Sequence, residues 1–253
     1  MRARGAQRQS MRARCEQERQ SVRACAPQRQ SLRAFEVSAR DAAQLEARYA
    51  AAADMLDALQ RMAARGENPV TAALAGASTI DEWTHYPESD ARDVLGRARY
   101  YYHVHGADER GADEHGHFHI FLEPPADKTD DSPTHVAGLA MDARGRLLRL
   151  FATNGWVTGE TLRAASAIAP SLASFEVESA SARADLDRWI SATVRFYAPG
   201  IAALLEERDA TLQAMRLRVP DGDILEDRDL RLLAEAPVDF ARDLSAIEDA
   251  LAS

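Results

Sequence analysis

The chain has 253 residues, 46% of them hydrophobic, and a formal net charge of −9 at pH 7, which suffices for one sizeable core or two smaller ones. Because no run of about 18 apolar residues and no apolar signal segment occurs, we expect a cytoplasmic protein with no membrane partner. The only cysteines are Cys15 and Cys25, so a disulfide framework is not what stabilises the fold.

The N-terminal segment, residues 1–35, repeats an Arg/Gln/Ser-rich pattern with a period of ten or eleven residues. It carries nine of the 31 basic residues and two of the 40 acidic ones, so the rest of the chain has a net charge of −16. We predict a disordered tail, with an arginine-rich anion-binding arm as the alternative. For the acidic body, nucleic acid is excluded as an expected partner.

Helical spacing of apolar residues follows the tail. It predicts a helix that Ser38 caps and Gly66 ends, and a second, short helix that runs from a cap at Asn68 to a stop at Gly76. Residues 80–90, IDEWTHYPESD, are then predicted to form a loop or a short extended piece.

The apolar period then changes to two, which is typical of β-strands. Four strands are predicted at residues 97–105, 115–123, 134–142 and 146–153. A tight turn over residues 142–145 joins the last two. An antiparallel meander is the natural arrangement of these strands.

Helical spacing returns after residue 158. Residues 159–169 are predicted to form a helix, and residues 175–179 a possible edge strand. Residues 185–197 form a strongly amphipathic helix that Pro199 breaks, and another helix continues through Leu212.

The pattern as a whole predicts an α+β fold, in which helices pack on one side of an antiparallel sheet of four or five strands. We expect three regions: the repeat tail at 1–35, a single domain at 36–217, and an acidic helical C-terminal extension at 218–253. The extension shows short helical patterns near Leu230 and Phe240.

Five of the seven histidines fall in two consecutive predicted strands. Because side chains alternate along a strand, the histidines of each strand share one face. If the strands pair as a hairpin, three cross-strand neighbours follow: His105 with His115, His103 with His117, and Tyr101 with His119.

Distances decide how a metal could bind there. Alternate residues on a strand stand about 6.6 Å apart, whereas metal–nitrogen bonds are about 2.0–2.1 Å. One ion therefore cannot take His115, His117 and His119 together. The compact set is His103 with His117 and either His105 or His119, which predicts a divalent transition metal, zinc or iron.

Other residues are candidates for the same site. His135 begins the next strand, and Tyr101 has a hydroxyl on the histidine face. His85 follows Trp83 in the predicted loop. The alternative to a role in the site is that Trp83 and Tyr86 of this loop close the edge of the sheet. Carboxylates that could complete the ligand set are Glu109, Glu114 and Glu160, and a helix-capping role competes for Glu160.

The stretch HGHFHIF, residues 115–121, resembles the motif of the histidine-triad nucleotide hydrolases and transferases. That resemblance implies phosphate chemistry in which the central histidine, His117, is the nucleophile. It covers only seven residues, and Gly116 stands where that family has an apolar residue. The helical character of the upstream sequence also departs from that family.

A longer series of motifs resembles a bacterial family of domains of unknown function, number 6969. The motifs are EWTHYP, YYYHVH, HGHFHIFL, HVAGLAMDARG and TNGWVTGE in this order. With RWISATVRFYAPGIAALLEERD, the similarity covers roughly residues 40–210. The resemblance implies a single domain over that span, with the repeat tail and the C-terminal segment as additions, and it supplies no activity.

The sequence thus favours a metal-binding protein, and more specifically a metal-dependent enzyme, that acts on a small-molecule ligand. The alternative is a non-catalytic ligand-binding or interaction protein with a histidine face. An enzyme should hold the histidines in a concave, partly dry pocket, whereas an interaction protein should present them on a flat surface.

Overall fold

The structure is a computed structural model that describes residues 42–77, 79–106, 113–124, 132–180, 183–220 and 222–253. The expectations for residues 1–35, for Ser38 and for Glu109 lie outside these ranges. The described elements, in chain order, are α1 (Ala42–Ala64), α2 (Pro69–Leu74), β1 (Tyr86–Arg92), β2 (Ala98–His103), β3 (Gly116–Leu122), β4 (Thr134–Met141), β5 (Leu147–Thr153), α3 (Gly155–Thr158), α4 (Ala165–Leu172), α5 (Ala184–Phe196), α6 (Ala198–Arg218), a 3₁₀ turn (Ile224–Glu226), β6 (Leu232–Pro237) and α7 (Phe240–Leu251).

The strands form one antiparallel sheet in the order β1-β2-β3-β4-β5-β6, a meander from edge to edge. The predicted α+β class is confirmed, with six strands in place of four or five. The β1 strand begins within the expected loop or extended piece and continues two residues beyond it. A register shift between Tyr86 and Ala91 interrupts its pairing with β2, which explains why no period of two marks it in the sequence.

The helical pattern predicted near Leu230 is wrong, because Leu232–Pro237 is the edge strand β6 and pairs with β5. Leucine, alanine and glutamate have good helix propensity, but burial determines the conformation of this segment. Ala234 and Ala236 alternate into the core beneath the sheet, and this packing overrides the local preference.

The helix predicted at residues 159–169 is also wrong in part. Gly159, with φ +61°, ends α3, and α4 begins only at Ala165. Between them the backbone N–H of Thr161 donates to the carbonyl of Pro133 at 2.9 Å. The possible strand at residues 175–179 is reduced to a single bridge between Ser179 and Asp93.

Of the helices in the described ranges, all except α3 contribute to one core against one face of the sheet. Tyr100, Tyr102, Phe118 and Ile120 point into that core, as strand alternation predicts. The opposite face of β2 and β3 is therefore the face that carries the histidines. Within the described ranges, no helix is both long and apolar enough to span a membrane.

A buried carboxylate fixes the amphipathic helix α5 to this core. Asp187 accepts a hydrogen bond from the Tyr100 hydroxyl at 2.6 Å, and from the backbone N–H and hydroxyl of Ser179 at 2.9 and 2.6 Å. Since a buried charge is costly unless it is hydrogen-bonded, these contacts specify where the helix sits on the back of the histidine strands.

Candidate metal centre

The register of β2 against β3 places the histidines. Its directly opposed residues include His103 with His117 and Tyr101 with His119, as the hairpin prediction has them. This pairing is confirmed, and it follows from the period-two pattern, because a slip by one residue would turn every histidine to the core face.

Three histidines of these strands come together. Ring nitrogens of His103, His117 and His119 all lie within 4.8 Å of one another. The ring centroids are 4.5 Å apart for His103 and His117, 4.9 Å for His117 and His119, and 5.1 Å for His103 and His119. All three side chains are buried. The cluster of these three residues is called the histidine triad, or the triad, below; the term does not refer to the motif of the histidine-triad enzymes.

A fourth histidine borders the triad. His105 Nε2 lies 3.2 Å from His103 Nε2, and His103 Nε2 lies 2.7 Å from His117 Nε2. Two nitrogens that share one tetrahedral zinc ion stand about 3.4 Å apart, given bonds of 2.0–2.1 Å. Small rotations of the two rings would therefore increase the distance between the Nε2 atoms of His103 and His117 to the value that a shared metal ion requires.

Glu114 lies in the segment before β3 and orients His117. Its Oε1 is 2.7 Å from His117 Nδ1, and Arg149 Nη2 donates to its Oε2 at 2.6 Å. With Nδ1 engaged by the carboxylate, the lone pair of His117 is at Nε2, which faces the triad. Glu114 was expected as a possible ligand, and the structure places it against His117 Nδ1, on the side of the ring away from the triad.

His135, at the start of β4, performs the same role for His119. Its Nε2 is 2.9 Å from His119 Nδ1, and the Thr153 hydroxyl is 3.4 Å from its Nδ1. The backbone N–H of His135 donates to Glu160 Oε2 at 2.7 Å. His135 thus joins the cluster through His119, and Glu160 contacts the backbone of β4.

The outer side of the cluster is aromatic. The His85 ring stacks on Tyr101 at 3.6 Å between centroids, and its Nδ1 lies 2.9 Å from Asp90 Oδ1. Tyr101 in turn lies 5.2 Å from the His119 ring. The Trp83 ring lies 4.1 Å from that of His105. His85 and Tyr101 therefore border the triad from the side of β1.

His115 is not brought into the cluster. It precedes β3, where the alternation begins only at Gly116, and its backbone N–H donates to Met141. Its Nδ1 lies 2.7 Å from the hydroxyl of Tyr102, a residue of the core face. The expected pair of His105 with His115 does not form, because β2 ends at His103 and the His105 ring packs 4.9 Å from His117.

Several residues around the site were not predicted from the sequence. Arg149 and Phe151 lie on β5 with the same period of two, so alternation along that strand was a signal that could have placed them. Phe151 lies 5.0 Å from His117 and 5.8 Å from His119 between ring centroids. Thr153 follows on the same face. No local pattern marks Arg231, whose guanidinium lies over the Trp83 ring from the segment before β6.

Burial keeps the clustered histidines neutral. Loss of hydration, followed by the neighbouring imidazoles, lowers the pKa of His103 to about 2. Burial likewise lowers the pKa of His135 to about 3, and it lowers the pKa values of His117 and His119. At neutral pH the rings therefore have lone pairs available, which is the form that binds metals. Burial also raises the pKa of Glu160 to about 7.

Metal-free protein should lose stability as the pH falls below about 6.5. The unfolded chain protonates its histidines near their usual pKa of 6.5, whereas the folded chain keeps His103 and His135 neutral to far lower pH. The unfolded state thus binds more protons, so the free energy of unfolding falls with pH, by up to about 1.4 kcal/mol per group and pH unit. The raised pKa of Glu160 in the folded state has the opposite effect on the free energy of unfolding. Between pH 4.5 and 7 it cancels the contribution of about one histidine.

Urea unfolding at pH 7, 6 and 5, in the presence of a chelator, measures this dependence. The lowered pKa values of four histidines outweigh the raised one of Glu160, so the midpoint should decrease at each step. A midpoint that is constant or rises from pH 7 to pH 5 would contradict the assignment of buried, neutral histidines.

The chain was compared with known proteins. The model of a family described as a domain of unknown function, DUF6969, matches residues 49–238. No curated protein and no solved structure matches. The matched span extends from within α1 to β6 and includes all seven histidines.

Proposed function

The chain belongs to the DUF6969 family of domains of unknown function, and we propose that it binds one divalent transition metal ion at His103, His117 and His119. The basis of this proposal is the chemistry of the site. We further propose that the ion is catalytic and acts on a small-molecule ligand. The observation that carries the proposal is the convergence of three buried ring nitrogens within 4.8 Å of one another.

The surroundings of the triad support metal binding. A histidine that ligates a metal commonly donates its other ring N–H to a carboxylate or another acceptor, which fixes the ring and raises its basicity. His117 has Glu114 in this position and His119 has His135, at 2.7 and 2.9 Å. Arg149 then holds Glu114 from behind. Two of the three rings are therefore positioned by an outer layer of partners.

The type of ligand favours zinc over iron. Iron sites of the two-histidine-one-carboxylate type need a free carboxylate. Here Glu114 contacts His117 and Arg149, and Glu160 accepts bonds from the His135 backbone and the Thr158 hydroxyl. Three neutral imidazoles are the donor set of a catalytic zinc ion that keeps its fourth position for water or substrate. Zinc would act there as a Lewis acid and lower the pKa of a bound water.

One observation favours a second candidate. His105 Nε2 lies 3.2 Å from His103 Nε2, close enough to serve as a fourth ligand. A site closed by four histidines would be structural or would serve storage, because no position would remain for substrate. Cobalt-substituted His105→Ala protein separates the two. An unchanged visible absorption spectrum supports the open, catalytic site, and a changed spectrum supports the closed one.

Direct phosphate chemistry at His117, the function implied by the histidine-triad motif, has less support. Both ring nitrogens of His117 have a neighbour at 2.7 Å, Glu114 on one side and His103 on the other. A nucleophilic imidazole needs a nitrogen directed at its substrate.

Elemental analysis of untagged protein tests the metal proposal. We expect about one equivalent of zinc or another divalent transition metal per chain, either as purified or after anaerobic reconstitution. The absence of a tag matters, because a polyhistidine tag would itself bind metal. Protein that holds no metal after reconstitution would overturn the proposal.

Replacing Glu114 with glutamine should weaken metal binding by about 10–100-fold, the usual effect of losing an outer-layer partner of a metal ligand. The carboxylate that orients and polarises His117 is lost, while the shape of the side chain is retained. Competition with a chromophoric chelator measures the dissociation constant.

Glu235→Gln is the matched control for this variant. Among the described residues, Glu235 is the other carboxylate paired with Arg149, at 3.4 Å, and this contact does not involve His117. We expect this variant to bind metal as the parent does. Equal losses in both variants would show that Arg149, and not the orientation of His117, is what matters.

A further inference from the structure

Tyr101 is the tyrosine of β2 that lies on the histidine face. It directly opposes His119 across the β2–β3 pair. Its ring centroid lies 5.2 Å from that of His119 and 5.5 Å from that of His103. The residue is 6% exposed. The phenol ring therefore lies beside two of the three triad histidines, in the same buried layer.

The Tyr101 hydroxyl differs from those of the other buried tyrosines. Each of the others has a hydrogen-bond partner in the protein: Asp187 for Tyr100, His115 for Tyr102 and Asp243 for Tyr197. Within the described ranges, no group hydrogen-bonds to the hydroxyl of Tyr101. Because a polar group on a buried side chain is costly to leave unpaired, water or a ligand has to supply the acceptor.

Neighbouring side chains hold the Tyr101 ring in place. The His85 ring stacks on it at 3.6 Å between centroids, with 8° between the ring planes, and the Phe121 ring lies 5.7 Å away. Asp90 in turn orients His85, because its Oδ1 lies 2.9 Å from His85 Nδ1. The hydroxyl is thus positioned before a ligand arrives, and a donor that is already in place loses little entropy on binding.

The hydroxyl is directed to the outer side of the triad. Strand side chains stand roughly perpendicular to the sheet, and tyrosine is longer than histidine. We therefore expect the Tyr101 hydroxyl to reach beyond the ring nitrogens of the triad. The adjacent His85 side chain is 38% exposed, so solvent reaches this border of the cluster. A phenol is protonated at neutral pH, which makes the hydroxyl a donor to a ligand that enters here.

We propose that the Tyr101 hydroxyl donates a hydrogen bond to an oxygen atom of the ligand at the fourth position of the metal ion. The site would then select carboxylates and carbonyl compounds, which carry an oxygen acceptor at or beside the atom bound to the metal. This inference rests on the proposed function and adds to it the chemical class of the ligand. In a reaction, the same bond would stabilise negative charge that develops on a carbonyl oxygen.

Two small anions distinguish a hydrogen bond from a change of shape at the site. Acetate binds a metal through one oxygen and keeps the other as an acceptor. Thiocyanate binds cobalt through nitrogen and leaves a sulfur atom, which is a weak acceptor. Both are titrated into cobalt-loaded parent, Tyr101→Phe and Tyr102→Phe proteins, and the visible absorption of cobalt reports binding. Tyr102→Phe is the matched control, because it removes a hydroxyl from the core face of the same strand.

Tyr101→Phe should bind acetate about 10–100-fold more weakly than the parent, the usual effect of losing a hydrogen bond to a charged group. It should bind thiocyanate as tightly as the parent does, since the ring and its stacking are retained. Tyr102→Phe should bind both anions as the parent does. Equal cobalt content in the three proteins would show that the metal site is intact.

Urea unfolding of the metal-free proteins supplies a second measurement that needs no metal. Tyr101→Phe removes a hydroxyl that bonds no described residue, so its midpoint should equal or exceed that of the parent. Tyr102→Phe removes a hydroxyl that contacts His115, so its midpoint should be lower. A clear decrease for Tyr101→Phe would show that its hydroxyl has a partner within the folded chain, which contradicts the inference.

The remaining outcomes separate this inference from the metal proposal. If the parent binds no cobalt, the metal proposal fails and the inference fails with it. If the parent binds cobalt but Tyr101→Phe binds acetate as tightly, or binds both anions more weakly by the same factor, Tyr101 is not the donor and the metal proposal stands. The same conclusion follows if neither anion changes the cobalt spectrum of the parent.

Discussion

The His103→Ala/His117→Ala variant should lose metal binding altogether within the range of elemental analysis. It removes two of the three triad histidines and leaves His119, with His135 behind it, and His105 at the border. The loss of an outer-layer partner alone costs 10–100-fold in affinity, so the loss of two direct ligands should cost on the order of 1,000-fold or more. Metal content per chain, measured after reconstitution and removal of free ion, checks this.

His115→Ala is the matched control, because it removes a histidine from the same HGHFH stretch. The structure places His115 on the other side of the sheet, bonded to Tyr102. Its removal should therefore leave metal content unchanged. Equal metal loss in this variant would show that binding depends on the number of histidines and not on the triad.

Loss of folding is the alternative cause of metal loss in the double variant. The parent and both variants should therefore be compared in metal-free form by circular dichroism and urea unfolding. A second variant, His119→Gln, keeps a polar side chain and should lose most of the metal as well. If metal-free double variant is folded and still binds one equivalent, the triad is not the metal site.

Gly138→Ala should lower the free energy of unfolding by about 1–3 kcal/mol, the usual cost of inserting a methyl group into a packed core. Gly138 in β4 pairs directly with Phe151 in β5. A Cβ atom on Gly138 would lie 2.1–2.4 Å from three carbons of the Phe151 ring, so the ring must move. Urea unfolding of the metal-free protein measures the loss.

This substitution should also reach the site. The Phe151 ring lies beside His117 and His119, on the histidine face. A displaced ring has to press on the triad, so metal affinity should fall along with stability. Combining the change with Phe151→Leu should recover part of the stability, because the smaller side chain leaves space for the new methyl group.

Gly155→Ala is the control for the loss of a glycine as such. A Cβ atom at Gly155 would meet no heavy atom within 4 Å, so stability and metal affinity should stay close to those of the parent. If Gly138→Ala matches the parent as well, Phe151 has space to move, and the close packing of β4 on β5 is not what maintains the site.

The sequence by itself determined the fold class, the central strands and the pairing of His103 with His117. These features depend on local periodicity, because a period of two assigns each side chain to a face and the core face selects the register. The sequence also reduced the candidate ligands to His103 and His117 with either His105 or His119, since strand rise and metal–nitrogen distances exclude one ion on His115, His117 and His119. Strand β6 was missed because the helix propensity of its residues conflicts with its pairing.

Only the tertiary structure decided which neighbours act on the triad. It placed His115 on the other face, His135 against Nδ1 of His119, and Glu114 against Nδ1 of His117. It also brought Trp83 and Arg231 together from two separate segments. The physical reason is that strand ends, bulges and loop contacts depend on long-range packing, and no local period in the chain encodes them.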